Sequence, residues 1–122
     1  MAIAQTNFDI DQGADFRFDV ELLDINDNPV DVSGGLIVGQ VRKKMSSRTI
    51  DAVFTVVPID LTLGKFTLVL DALTTASLQC DLSHTAYRTI TQFAYDVEVH
   101  TNDGKVTRIL QGVLNVSPEV TR

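Results

Sequence analysis

The residues in this chain that could do chemistry are few, and each grouping is incomplete. Cys80 and His84 stand four apart, a spacing that shares one face if the segment is helical. Such a pair could serve as a nucleophile with its base, or as half of a zinc site. A zinc site needs further nitrogen or sulfur ligands, yet Cys80 is the single cysteine and the only other histidine, His100, falls on the polar face of a predicted strand. His100 reads as a solvated strand residue. Asp24-Ile25-Asn26-Asp27-Asn28-Pro29 gathers the oxygen ligands that a hard cation such as calcium requires. The same residues make a turn without an ion, because Asp and Asn bond to nearby backbone and Pro fixes φ. Serine, histidine and aspartate all occur, but nothing in their order marks a triad. Neither a nucleophile elbow nor a phosphate-cradling glycine loop is present. Ser33-Gly34-Gly35 is followed by no helix and reads as a turn. The sequence predicts no catalytic residue, no cofactor and no enzyme.

Charge and composition narrow the partners. At 122 residues the chain is expected to be one domain, spanning residues 1–122, large enough to bury a core without disulfides or metal. The net charge of -6 argues against a nucleic-acid binder, which needs clustered Lys and Arg. Arg42-Lys43-Lys44 and Arg48 form the one local basic cluster, which reads as a solvated turn at a strand end. The longest apolar runs are too short to span a bilayer, so no membrane partner is expected. Met1-Ala2-Ile3-Ala4-Gln5-Thr6 has neither the basic region nor the apolar stretch of a secretory signal. With a lone cysteine, this fits synthesis in a cytoplasm.

Any such residues must be positioned by strands. Phe93, Tyr95, Val97 and Val99 alternate with Gln92, Asp96, Glu98 and His100, the period-two pattern of a half-buried strand. Asn102-Asp103-Gly104 then joins this strand to residues 105–116 as a hairpin, Gly supplying the positive φ. Earlier strands are predicted over residues 4–10, 16–22, 36–45, 52–59 and 66–70, with a short return at 30–32. Asp71 can cap a helical turn over residues 73–79, with Leu73 and Leu78 near one face, and residues 80–91 read as a loop. The regular spacing of strands and turns predicts an all-β fold: an immunoglobulin-like antiparallel β-sandwich of seven to eight strands with one short helical turn. Its expected core holds Phe16, Phe18, Val20, Leu22, Val41, Phe54, Phe66, Leu68, Leu70, Tyr95, Val97, Leu110 and Leu114.

The last strand breaks the alternation. Leu110, Leu114 and Val116 define one face, but Ile109 and Val113 stand on the other, and a strand apolar on both sides is often covered on both. Pro118 ends sheet pairing, so residues 117–122 can project as a tail. Ile109, Val113, Pro118 and Val120 therefore form the expected interaction surface, with residues 1–10 as a further strand or docking arm.

Two resemblances follow from these residues. The Asp24–Pro29 run resembles the calcium-linker signature of cadherins over fewer than ten residues, without the residue that family has before the proline or its acidic partner motifs. Nearly the whole chain resembles small β-sandwich proteins of tailed-bacteriophage tails, baseplates or necks. The matching elements are Gly13-Ala14-Asp15-Phe16-Arg17-Phe18, Asn28-Pro29-Val30-Asp31-Val32-Ser33-Gly34, Val41-Arg42-Lys43, Gly64-Lys65-Phe66-Thr67-Leu68, the Thr74-Thr75 turn, Tyr95-Asp96-Val97-Glu98-Val99 with Asp103-Gly104, and the end from Leu110 to Arg122. That likeness implies a non-enzymatic virion component, made in the host-cell cytoplasm, that packs with other virion proteins and with copies of itself. It carries over no functional site. Edge strands and terminal arms would supply the contacts. The alternative is an adhesive or carbohydrate-binding sandwich for host attachment, gripping a glycan with residues 46–50 and 80–91, although the chain has no Trp and only Tyr87 as a loop aromatic.

Overall fold

The computed structural model describes residues 4–79 and 90–118. They form nine strands: β1 (Ala4–Gln5), β2 (Phe8–Asp11), β3 (Phe16–Glu21), β4 (Gly35–Arg42), β5 (Ala52–Val53), β6 (Thr55–Asp60), β7 (Lys65–Leu70), β8 (Thr91–Thr101) and β9 (Val106–Ser117). A 3₁₀ turn at Leu61–Leu63 links β6 to β7, and a short helix, α1 (Ala72–Ser77), follows β7. One sheet runs β1-β9-β8-β4-β5, with β2 also on β9; the other runs β3-β7-β6. In immunoglobulin lettering, β3, β7 and β6 occupy places B, E and D, facing β4, β8 and β9 at C, F and G. The expected sandwich is the observed one. It departs from a purely antiparallel design at one place: β1 and β2 lie parallel to β9.

The core fills the space between the sheets. Phe66, Leu68 and Leu70 from β7 meet Val41, Tyr95, Val97 and Leu114 from the larger sheet, all buried. Phe16, Phe18, Val20 and Leu22 were expected inside but are only half-buried, because β3 and the residue after it lie at an edge of the smaller sheet. Ile10, Ile37, Leu78, Phe93, Val99 and Val116 complete the core. The hairpin between β8 and β9 closes as a three-residue loop, Thr101 N–H donating to the Lys105 carbonyl at 2.9 Å, with Gly104 at φ 86°.

Helix α1 starts where Asp71 caps it, its Oδ1 accepting from Thr74 N–H at 2.8 Å. Asp15 Oδ1 accepts from Ala72 N–H at 2.7 Å, so a distant loop satisfies another of the helix's open donors. Thr75 is fully buried; its hydroxyl accepts from Gly13 N–H and donates to the Ala14 carbonyl, tying the helix to the turn before β3. Leu73 and Leu78 do not share a face. The helix ends at Ser77, leaving Leu78 buried just beyond it while Leu73 is 84% exposed.

The expected first strand is split in two at Thr6-Asn7, and the split has a cause. Thr6 N–H donates to the Gln111 carbonyl at 3.0 Å, while Asn7 Oδ1 accepts from Val113 N–H at 3.1 Å. The side-chain oxygen thus replaces a ladder acceptor where the backbone turns. The Thr6 carbonyl points inward and accepts from Tyr95 Oη–H at 2.6 Å. It passes so close over Gly112 that a Cβ there would overlap it. Phe8 then packs against Phe16, Phe18 and Tyr95, with ring centroids 5.2, 4.5 and 5.5 Å away.

Two outcomes follow from this junction. Gly112→Ala forces the Thr6 carbonyl outward and costs ~1–3 kcal/mol in denaturant unfolding, with amide exchange accelerated first at residues 8–10. Tyr95→Phe strands the carbonyl and costs ~1–3 kcal/mol. Burial pushes the Tyr95 phenol up to about 12. Its raised folded value means stability present below pH ~10 is lost as pH climbs towards 12. The phenylalanine variant lacks that loss, as unfolding titrations between pH 9 and 12 will register.

Candidate interaction surface

Of the four residues expected to form a contact surface, the structure describes Ile109, Val113 and Pro118, and these three do not form one exposed patch. Ile109 is 1% exposed and belongs to the chain's own core. The reason is a bulge: β8 and β9 pair Val97 with Leu110 but Glu98 with Arg108, so Ile109 is the extra residue. The bulge shifts the phase of β9, letting both Ile109 and Leu110 point inward. Two adjacent apolar residues in an alternating strand carry that signal, which a partner contact mimics. Val113 is half-buried on the outer face beside Asn7, and Pro118 is buried against the body. Val120 lies outside the described residues, as do Cys80, His84 and Tyr87. Of residues 1–10, expected as a strand or docking arm, residues 4–5 and 8–10 lie in strands of the chain's own sheet.

The Asp24 loop spends its carboxylate on its own backbone. Asp24 Oδ1 accepts from Asn26 N–H at 2.8 Å and from Asn28 N–H at 3.0 Å, Asp24 N–H donates to the Asn28 carbonyl, and Asp27 takes φ 62°. This is turn chemistry, and it accounts for the acidic residues without an ion. Among the described residues, no group of three His, Cys, Asp or Glu side chains is placed to hold a metal. His100 is not a merely solvated residue: its Nε2 lies 3.2 Å from Glu98 Oε1.

The outer face of the larger sheet holds a polar ladder that sequence reading passed over as solvent-facing. Arg42 is fixed by two bonds, from one terminal nitrogen to the Ser47 carbonyl and from the other to Gln40 Oε1, both at 3.0 Å. Arg108 Nε lies 3.3 Å from Asp96 Oδ2, paired in charge but not aligned for a hydrogen bond, and its Nη1 donates to Gln111 Oε1. A hollow of about 100 Å³ opens among Gln40, Arg42, Met45, Asp96 and Arg108. Burial raises the Asp96 carboxyl above its ordinary value; Glu98 pushes the same way, and Arg108 and Arg42 oppose both.

Two other parts of the surface are open. On one flank the sandwich ends in the consecutive edge strands β5 and β6, where Val53, Val57 and Ile59 are exposed. At one end, the segments 30–35 and 101–107 enclose a cleft of about 500 Å³, with the buried Val32 and Val99 beneath the exposed Asp31 and Asp103. Comparison with protein-family models finds no match, and comparison with curated proteins finds none.

Asp96 yields a test of the ladder. A folded value raised above the unfolded carboxyl's ~3.9 means that ionisation opposes folding, so stability declines as pH rises through the folded value. Asp96→Asn keeps an oxygen towards Arg108 and removes the charge. It is expected to match or exceed the wild-type midpoint at pH 7 and to flatten this part of the decline above pH ~4, in denaturant melts across that range.

Proposed function

We propose that the protein is a non-enzymatic structural subunit of a tailed-bacteriophage particle, packed with other virion proteins and with copies of itself. The observation that carries this reading is the open β5–β6 flank. β5 pairs with only Gln40 and Val41 of β4, and β6 pairs with β7 alone among the described residues. Ile59 is 60% exposed on that edge, the extra residue where the pairing with β7 shifts register between Pro58 and Asp60, and Val57 is exposed two residues before it. Exposed β-branched residues on an edge strand are what a lone sandwich avoids and an assembled one uses.

The chemistry of the edge selects the kind of contact. Pro58 sits within β6 and has no N–H to donate, which disfavours adding a neighbour's strand to that ladder. Side-chain packing on Val57 and Ile59 is the contact that remains. The other edge of the same sheet, β3, turns Arg17, Asp19 and Glu21 outward, which guards it against strand addition. The resemblance to phage tail, baseplate and neck sandwiches supports the same reading, since its shared elements among the described residues fall on the strands, turns and short helix of this scaffold. For the glycan-gripping alternative, every aromatic ring among the described residues is buried or half-buried, and Tyr87 lies outside them.

The test uses Val57→Lys with Ile59→Lys in the phage that encodes the chain. Both positions are exposed, so the isolated variant should melt close to wild type. Purified particles should carry at least about tenfold fewer copies by quantitative mass spectrometry, the loss that ~1.4 kcal/mol of contact energy would give. Normal incorporation, or absence of the wild-type protein from particles, would contradict the reading.

A further inference from the structure

The two ends of β4 carry local clusters of opposite charge, with Asp11, Asp15, Asp51 and Asp71 sharing the basic loop's end of the sandwich and Lys65 and Lys105 the cleft's end. β4 begins at Gly35, which lines the cleft between segments 30–35 and 101–107, and ends at Arg42, where the basic loop starts. Eight extended residues separate these ends by about 25 Å. A molecule therefore cannot place its own loop in its own cleft.

The cleft is lined by Val30, Val32 and Val99, with Asp31 and Asp103 exposed beside it. Hydrogen bonds from Ser33 hold the Asp31 carboxyl below its ordinary value, and the Thr101 hydroxyl does the same for Asp103. Lys105 Nζ is 3.9 Å from Asp103, but both are exposed, so that pair is a weak competitor. Asp24, Asp27 and Asp60 lie in the loops and strand terminus at the same end.

The loop at the far end is built to present the complementary groups. Ser47 N–H donates to the Lys44 carbonyl at 3.0 Å, Lys44 N–H donates to Ser47 Oγ at 3.2 Å, and Arg42 clamps the Ser47 carbonyl. This fixed turn holds Lys43, Lys44 and Arg48 in solvent, with Met45 76% exposed between them. A turn already formed loses little freedom on docking. Methionine is flexible enough to fill an irregular apolar gap, and flanking lysines reach carboxylates beside it.

We propose that the protein associates head to tail, the Lys43–Arg48 loop of one copy seating Met45 in the cleft of the next, with Lys43 and Lys44 against Asp31 and Asp103. The partner is a second copy of this chain. Such a contact joins different surfaces, so it propagates into a row, or a ring if its rotation closes. It stands on the geometry of the two ends and does not depend on the virion reading, whose contact lies on the β5–β6 flank.

Sedimentation of the full chain tests this. Wild type at ~0.05 M salt should show an average mass rising beyond a dimer with concentration, and falling towards the monomer at ~0.5 M, where charges are screened. Lys43→Glu with Lys44→Glu, and separately Asp31→Asn with Asp103→Asn, should each weaken association about tenfold. The asparagines keep the acceptor oxygens that the two turns use. Mixing the two variants leaves one sound cleft facing one sound loop, so a 1:1 dimer should form and grow no further. Met45→Glu, which touches neither turn, should also weaken association and serves if the asparagine variant melts early. Val57→Lys with Ile59→Lys should associate like wild type, which separates this contact from the flank. A wild type that stays monomeric at its highest soluble concentration would overturn the proposal. So would variants that associate unchanged, or a mixture that yields no dimer.

Discussion

The hydrogen bond from Tyr95 Oη to the Thr6 carbonyl is the constraint on which the larger sheet depends. It turns a backbone acceptor away from the β9 ladder into the core, where an unpaired carbonyl would cost ~1–3 kcal/mol. The Gly112 gap, the Asn7 side chain that replaces the missing ladder acceptor, and the aromatic contacts of Phe8 all serve that inward turn. Without them the N-terminal strand could not break and resume along β9. Its twin contribution is coverage: with β1 and β2 paired, β9 is no longer an edge.

Closing that side leaves the molecule's usable exterior elsewhere. The β9 bulge takes Ile109 inside, and the middle of the large sheet's outer face is polar, tied by Arg42, Asp96 and Arg108, with Leu36 and Val106 exposed towards one end. The β5–β6 flank exposes Val53, Val57 and Ile59 along one edge, and local clusters of opposite charge lie at the two ends of β4. A lateral apolar edge and oppositely charged loops are what the proposed assembly role would use. The energy of each contact is modest, and repetition in an assembly is what makes modest contacts sufficient.

Much of the fold was legible because alternation is a direct consequence of the strand's period. β3, β7 and β8, the Asp71 cap and the Gly104 turn were all readable from residue types alone. What was not legible depended on contacts far apart in sequence. The break at Thr6-Asn7 is set by Gly112 and Tyr95, and nothing local in residues 4–10 announces it. Ile109 beside Leu110 could be a bulge or a doubly covered strand, and only the register with β8 decides between them. Leu73 and Leu78 were read near one helical face, but the helix ends at Ser77 and Leu78 turns into the core just beyond it. The candidate surface suffered most, because a residue's outward direction on a strand is lost once a single extra residue shifts the phase.

The most direct test of the proposed virion role is an electron-microscopy map of purified tailed-phage particles from the proposed source of this chain, with the sandwich fitted to density. The account predicts many symmetry-related copies, each with Val57 and Ile59 buried against a neighbour. Particles without the sandwich, or copies whose β5–β6 flank faces solvent throughout, would contradict it.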